Sequence, residues 1–337
     1  MNLPHRARSA VRSRSARLVA VALFALAAGV IPSAALRAQT STGGATFLLI
    51  PVGARAIGMG QAVVAEQGGT EAIWWNPAGV AQSTSAEVAI HHYQSFVGTG
   101  DALAVLFPSR RLGTLAISVY LLDYGEQAVL DPENVPIGQL LLRNVAYGAT
   151  YGVRLGSRLS AGATFKVIQF RADCSGSCAD VPNTSSTGTA VDLGAQYDGG
   201  PTSPITIGLA VRHLGPKYQI NDAAQADPLP TRVELGVGYR VAQLERIAPE
   251  TMLRVSGDLV DNLDFDETEG HVGAELGWRE RAFLRGGYVF NSSEIAGPSL
   301  GVGLATGGLR IDIARIFEGF SSGAGQTPTY VSLRYLF

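Results

Sequence analysis

Cys174 and Cys178 enclose Ser175-Gly176-Ser177 in a polar stretch, and they are the two cysteines of the 337-residue chain. In an oxidising compartment such a pair closes a local disulfide, which would pin the loop 171–188. The loop enclosed is short, so its contribution belongs at the low end of roughly 2–4 kcal/mol. Metal ligation with Asp173 and Asp180 is the other chemistry open to these residues, but four ligands at good spacing are lacking. His91 and His92 also suggest a metal. Neighbours on a strand point to opposite faces, so one site cannot readily use both. Gly58-Met59-Gly60 lacks the strand–turn–helix context of a dinucleotide site, and no His-Glu-x-x-His pair or phosphate-loop lysine occurs. The residues predict no catalytic group, no resident metal and no cofactor, so the chain is not expected to be an enzyme.

The remaining chemistry-bearing residues are charges at alternate positions: Arg232, Glu234, Arg254, Asp258, Glu275, Arg285, Arg310, Asp312 and Arg334. Over 231–241 one face carries Val233, Leu235, Val237, Tyr239 and Val241, and the other Arg232, Glu234, Gly236, Gly238 and Arg240. A strand separates two such sets, whereas a helix scatters them. The same alternation runs through 143–155, 189–198, 204–212, 251–260, 270–278, 282–290 and 308–315. Less regular segments at 86–95, 101–108, 113–123, 159–170, 298–305 and 328–337 bring the count to 14 strands. Most have the length of the 9–11 residues that cross a bilayer at a tilt. Connections largely alternate between long ones (124–142, 171–188, 213–230, 261–269, 316–327, with shorter members at 96–100 and 291–297) and short ones (109–112, 156–158, 199–203, 279–281, 306–307), with 242–250 as a longer exception. Transmembrane barrels have this parity, and sandwiches and propellers do not.

The predicted fold is therefore all-β: a 14-stranded antiparallel transmembrane β-barrel over 86–337. Charge facing the lipid midplane costs roughly 2–4 kcal/mol per Arg or Lys, so the nine charged positions face the lumen. There they read as cross-strand ion pairs that organise the interior. A catalytic lumen is the competing reading. Inward glycines leave space or let another segment approach closely.

Composition agrees. Hydrophobic residues make up 46% and charged residues 16%, with 41 glycines, which excludes a disordered chain. Lys166 and Lys217 are the two lysines, and the formal charge is −2, so nucleic acid is not an expected partner. Residues 1–38 read as a cleaved signal peptide: basic arginines, an apolar run from Leu18 to Ile31, and small residues before Gln39. Removing them takes six arginines and no acid, leaving 20 basic residues against 28 acidic and a formal charge of −8. An even strand count leaves both barrel termini in the periplasm. Localisation in the outer membrane of a Gram-negative-type bacterium follows, with its lipid as a partner.

Residues 39–85 lack sustained alternation and are expected to fold into the lumen as a hatch. Asn76 before Pro77 reads as a helix start, with Asn as N-cap and Pro at N1. Gly58 and Gly60 permit tight turns. Trp74 and Trp75 either anchor at the membrane interface or wedge the plug against the wall. At the other end Val331, Leu333, Tyr335 and Phe337 share one face of the last strand. A terminal Phe after alternating apolar residues resembles the C-terminal signal read by the barrel-assembly machinery.

Phe47 to Gly60, followed by Trp74-Trp75-Asn76-Pro77-Ala78-Gly79, resembles the N-terminal signature of the PorV/PorQ family of outer-membrane proteins. Ser118 to Glu126 is similar to that family's third strand and loop. Gln67-Gly68-Gly69 departs from it, because the family often carries acidic residues there. PorV/PorQ belongs to the wider group related to the long-chain fatty-acid transporter FadL, 14-stranded barrels plugged by a hatch with an Asn-Pro-Ala motif. Asn76, Pro77 and Ala78 match that motif. The resemblance implies passage of hydrophobic small molecules by a hatch-gated route. The alternative it implies is a non-conducting component of type IX secretion that docks exported proteins.

Overall fold

The computed structural model describes residues 44–337, apart from 67, 96, 178–182, 201–202, 221–225, 264, 266–267, 292–295 and 318–326. The signal peptide read at 1–38 lies outside the described residues, as does Cys178.

Fourteen strands follow one another around a closed antiparallel ring: β1 (Glu87–Gln94), β2 (Thr99–Ser109), β3 (Gly113–Leu130), β4 (Pro136–Leu155), β5 (Leu159–Gly176), β6 (Thr184–Asp198), β7 (Ile205–Leu214), β8 (Arg232–Arg240), β9 (Thr251–Asp261), β10 (Glu269–Trp278), β11 (Ala282–Phe290), β12 (Gly297–Thr306), β13 (Leu309–Ile316) and β14 (Thr329–Leu336). Each strand pairs with its sequence neighbours, and β1 closes on β14 with Glu87 opposite Leu336 and Gln94 opposite Thr329. Closure leaves no unpaired edge, as a hydrocarbon surround requires.

Alternation sorts the two faces as the sequence predicts. On β8, Leu235, Val237 and Tyr239 are exposed outward, while Arg232, Glu234, Gly236 and Gly238 are buried. On β3, Leu115, Ile117 and Val119 face outward and pair with Tyr151, Ala149 and Tyr147 of β4. A continuous outer surface of large apolar side chains suits hydrocarbon, not water. On this side of the ring the band ends at Asp123 and Arg143, cross-strand partners on the outward face joined by a 2.8 Å ion pair. From Gly113 to Asp123 is ten steps, roughly 33 Å along the strand and about 25 Å at a 40° tilt, the height of a barrel's apolar band.

Beyond that row the structure differs from the sequence reading. The stretches 124–142 and 171–188, expected as loops, largely continue as strands, so β3, β4, β5 and β6 run 18, 20, 18 and 15 residues. A bulge explains why the alternation disappears there: Tyr124 and Gly125 face the single Leu142, with Gly125 at φ +77. Past the bulge, both faces of the β3–β4 hairpin meet solvent, and nothing selects apolar residues at every second position. Tyr93, Tyr120 and Tyr330 also depart from the general outward placement of tyrosine. They are buried in the interior, and the hydroxyls of Tyr93 and Tyr120 lie 2.9 Å apart.

Between residues 44 and 86 the chain has short turns only. These are a 3₁₀ turn at Thr46–Leu49, α1 (Ala54–Gly58), α2 (Ala72–Trp75) and a 3₁₀ helix at Pro77–Gln82. Most of its residues are buried, and it packs against the inward faces of strands around the ring. It begins at the end of the ring remote from the C-terminus, where Gly44 N–H donates to Pro228 O, and finishes beside Glu87 at the other end. A third short helix, α3 (Ala242–Ile247), fills the irregular 242–250 connection.

Candidate functional site

The site is the contact between this lumenal segment and the wall. Glycines on inward-facing strand positions allow that contact. At Gly194 of β6 an added methyl group would overlap Asn76 Oδ1, and at Gly162 of β5 it would overlap Pro77. Gly60, at φ +58, presses its backbone against Gly287 and Tyr288 of β11, so both its conformation and its surroundings exclude a side chain. Gly58 approaches Gly301 of β12 in the same way, and a Cβ on Gly79 would meet Ala72 at 2.9 Å.

Asn76 ties segment to wall. Its Oδ1 accepts from Ala78 N–H at 3.1 Å, the N-cap bond of the 3₁₀ helix that Pro77 begins. Its Nδ2 donates to Val64 O at 2.8 Å and to Ala195 O of β6 at 3.2 Å. One buried side chain thus joins two parts of the segment and a strand. Gln196, two residues from Gly194, donates to Val64 O and Glu66 O at 3.0 and 2.8 Å. Trp75 donates from Nε1 to Val52 O, and the Arg212 guanidinium lies 5.2 Å from its ring centroid. Trp74 meets His91 edge-on. Both tryptophans therefore pack inside the ring, and neither anchors at its outer surface.

Five of the nine lumen charges join one continuous chain of ion pairs. It runs Arg254–Glu66–Arg55–Glu275–Arg285–Asp312–Arg334, with every link between 2.6 and 3.2 Å. Glu66 and Arg55 come from the lumenal segment, and Ser256 completes the coordination of Glu66 with a 2.7 Å hydrogen bond. The other four also face inward. Asp258 accepts from Val64 N–H, and Glu234 pairs with Arg212. Arg232 stands 3.9 Å from Glu269, and Arg310 stacks 4.6 Å from the Phe283 centroid. Pairing along the ion chain offsets part of the desolvation cost that lone buried ions would carry.

Several participants escaped the sequence reading. Lys166 of β5, Asp192 of β6 and Arg212 with His213 of β7 form a second polar cluster, in which Lys166 Nζ is 2.5 Å from Asp192. Lys166 and Asp192 sit on inward-parity positions of their strands, so the alternation rule could have included them. Arg55 and Glu66 gave no such signal, because periodicity is absent where they lie. His91 is buried and hydrogen-bonds Ser332, whereas His92 is exposed and bonds Asp101. The pair diverges, as strand geometry requires. Among the described residues no cluster of three His, Cys, Asp or Glu side chains forms a metal site. Cys174 stands near the end of β5, and a bridge to Cys178 concerns a residue outside those described. Val331, Leu333, Tyr335 and Phe337 all lie exposed on the outer side of the ring.

Solved barrels share this fold. The CymD monoaromatic hydrocarbon channel superposes with a TM-score of 0.55 at 16% identity, over 86% of this chain and 98% of that one. The toluene transporter TbuX of Ralstonia pickettii gives 0.52 at 14%, over 85% and 98%. A FadL homologue of Pseudomonas aeruginosa gives 0.50 at 10%, over 86% and 98%. The fold is that of a FadL-type outer-membrane barrel. Of these neighbours, TbuX is a toluene transporter and CymD a monoaromatic hydrocarbon channel. No protein-family model matches the sequence, and no curated protein does.

Proposed function

We propose that the chain is an outer-membrane channel that admits compact hydrophobic molecules, with residues 39–85 as its hatch and 1–38 as its export signal. The observation that carries this reading is a cavity left between the lumenal segment and the wall, beside contacts that are otherwise close. Toward β9–β14 the segment is clamped by the ion chain through Arg55 and Glu66. Toward β3, β4, β5 and β7 a cavity opens between Leu48, Val52 and Trp74 on the segment and Tyr120, Ala146 and His213 on the wall. In this reading a solute held there leaves when the turn Asn76–Gly79, seated closely on Gly162 and Gly194, shifts away from the wall. Vesicles carrying the refolded barrel should take up a radiolabelled monoaromatic compound faster than protein-free vesicles. Equal rates would remove the channel reading.

The resemblance to PorV/PorQ supports a second reading, a component that docks exported proteins. The observation favouring it is the four-stranded wall that β3–β6 raise beyond the Asp123–Arg143 row. Stoichiometric capture of an identified exported protein, lost when residues 126–140 are shortened, would select this reading. In either case Val331, Leu333, Tyr335 and Phe337 serve as the motif offered to the barrel-assembly machinery.

A further inference from the structure

The end of the ring that carries the short turns is basic. Arg110 and Arg111 of the β2–β3 turn, Arg158 of the β4–β5 turn, Arg246 of α3 and Arg281 of the β10–β11 turn are all exposed. Among the described residues none of these five guanidiniums belongs to an ion pair. Two other arginines at this end are engaged, Arg279 with Glu250 at 2.7 Å and Arg240 with Glu245 at 4.0 Å. Asp198 and Glu280 remain against the five, so cations prevail. The opposite end differs. Between Tyr124 and Leu142 the tall β3–β4 hairpin carries Glu126, Asp131 and Glu133 and no cation.

Aromatic residues beside these turns set their depth. Tyr151 Oη donates to Leu112 O at 2.7 Å, and Arg158 Nη1 donates to Tyr197 Oη at 3.3 Å. The Arg279 guanidinium stacks 4.7 Å from the Trp278 centroid. Tyr151, Tyr197 and Trp278 are exposed on the outer surface, where such side chains mark the headgroup level of a bilayer. The arginines of the turns therefore stand at phosphate height. Beside them are Leu112, 71% exposed next to Arg111, and Ile247, 83% exposed next to Arg246. In water such exposure is costly. Against a membrane surface, each apolar side chain enters the acyl boundary while its neighbouring guanidinium reaches a phosphate.

Charge and exposed apolar area together select the partner. A soluble anion would satisfy the guanidiniums but leave Leu112 and Ile247 in water. A zwitterionic headgroup brings its own ammonium and leaves the cationic excess uncompensated. Lipopolysaccharide belongs to the leaflet at the other end, because short turns face the periplasm. Guanidinium holds phosphate through charge-assisted, paired N–H···O bonds. Resting on the membrane placement of the barrel and not on what it carries, we infer that the short-turn rim is a docking surface for anionic glycerophospholipids of the periplasmic leaflet. Arg110, Arg111, Arg158, Arg246 and Arg281 hold the phosphates.

Trp278 reports on this rim, since Trp74 and Trp75, the other two tryptophans, pack inside the ring. Arg246 and Arg281 lie on the two turns that meet beside it, where Trp278 pairs with Thr251 and Arg279 N–H donates to Glu250 O. The full barrel is placed in phosphatidylcholine vesicles doped with acyl-brominated phosphatidylglycerol, or with the same fraction of brominated phosphatidylcholine. Bromine quenches indole on contact, so the ratio of quenching gives local enrichment. Phosphatidylglycerol should be enriched about fivefold or more around Trp278, and high salt should reduce that ratio. Arg246→Gln/Arg281→Gln should bring it close to one, while Arg171→Gln/Lys217→Gln at the other end should leave it unchanged. The unsubstituted barrel gives the ratio by itself, so it decides even if a variant misfolds. Equal quenching by the two brominated lipids, or a preference lost only with Arg171→Gln/Lys217→Gln, overturns the inference. Displacement by glycerol 3-phosphate beyond the effect of matched salt also overturns it, because the arginines would then serve a soluble anion. A barrel that inserts without headgroup preference loses this surface and keeps its membrane placement, whereas one that inserts into neither vesicle loses both.

Discussion

Glu66 Oε2 lies 2.8 Å from Arg254 Nη1, joining a segment without regular strands to β9 across a sequence separation of 188 residues. The same oxygen lies 2.8 Å from Arg55 Nη2. One carboxylate thus fixes two points of the lumenal segment and connects them to the ion chain that crosses β9 to β14.

Removing Glu66 should therefore cost far more than a surface charge would. Glu66→Ala leaves Arg55 and Arg254 without their shared partner inside the ring, a type of loss worth about 3–5 kcal/mol. The expected readout is a clear drop in the temperature at which the barrel loses its compact gel mobility. Restoring part of that temperature with Glu66→Ala/Arg254→Ala would show that the stranded cation causes the loss. A double variant as unstable as the sum of the two singles would argue against coupling.

Gly194→Ala places a methyl group where Asn76 Oδ1 stands, whereas Gly286→Ala, on the outer face, meets nothing nearer than Leu300 Cδ2 at 3.6 Å. The two substitutions are identical in chemistry and in strand propensity. The first should unseat the turn at Asn76–Gly79, seen as new protease cleavage within 44–85 and faster solute uptake. The second should leave both unchanged. Matching protease patterns for the two would show that the close contact does not hold the segment.

The barrel was legible because hydrocarbon outside and polar groups inside enforce a period of two, and fourteen segments carried it. Where one of those constraints stops, so does legibility. Above Asp123 and Arg143 both strand faces are wet, and strands continuing from β3 to β6 resembled loops. Within 44–85 contacts are made by backbone and by single side chains such as Glu66, which leave no periodic trace. The Asn76-Pro77 pair was readable because capping is a local rule. Its second task, donating from Nδ2 to Val64 O and Ala195 O, joins positions 12 and 119 residues away, a tertiary contact that no local rule encodes.

That division gives a prediction for Asn76 itself. Asn76→Asp keeps an oxygen to cap Ala78 N–H but replaces the donor to Val64 O and Ala195 O with a second acceptor. Asn76→Ser also keeps a capping oxygen, without the added charge. If the wall contacts dominate, Asp should destabilise more than Ser, although both are good N-caps worth about 1 kcal/mol relative to Ala. Thermal loss of gel mobility ranks them, and equal midpoints for Asp and Ser would assign Asn76 a capping role alone.

Ile117 tests the surround of the barrel. It is 60% exposed on β3, opposite Ala149, midway between Gly113 and the Asp123–Arg143 row. On a water-soluble protein a charge at such a position is nearly free, within about 0.5 kcal/mol. In a bilayer Arg at the midplane costs roughly 2–4 kcal/mol, and the cost falls to about 0–1 near the interface. Ile117→Arg should therefore lower stability in lipid vesicles strongly, as measured by denaturant-induced loss of tryptophan signal. Leu121→Arg, two residues before the Asp123–Arg143 row, should lower it much less. Equal tolerance of both would mean that no hydrocarbon faces this surface, and a depth-dependent pair of losses locates the midplane on β3.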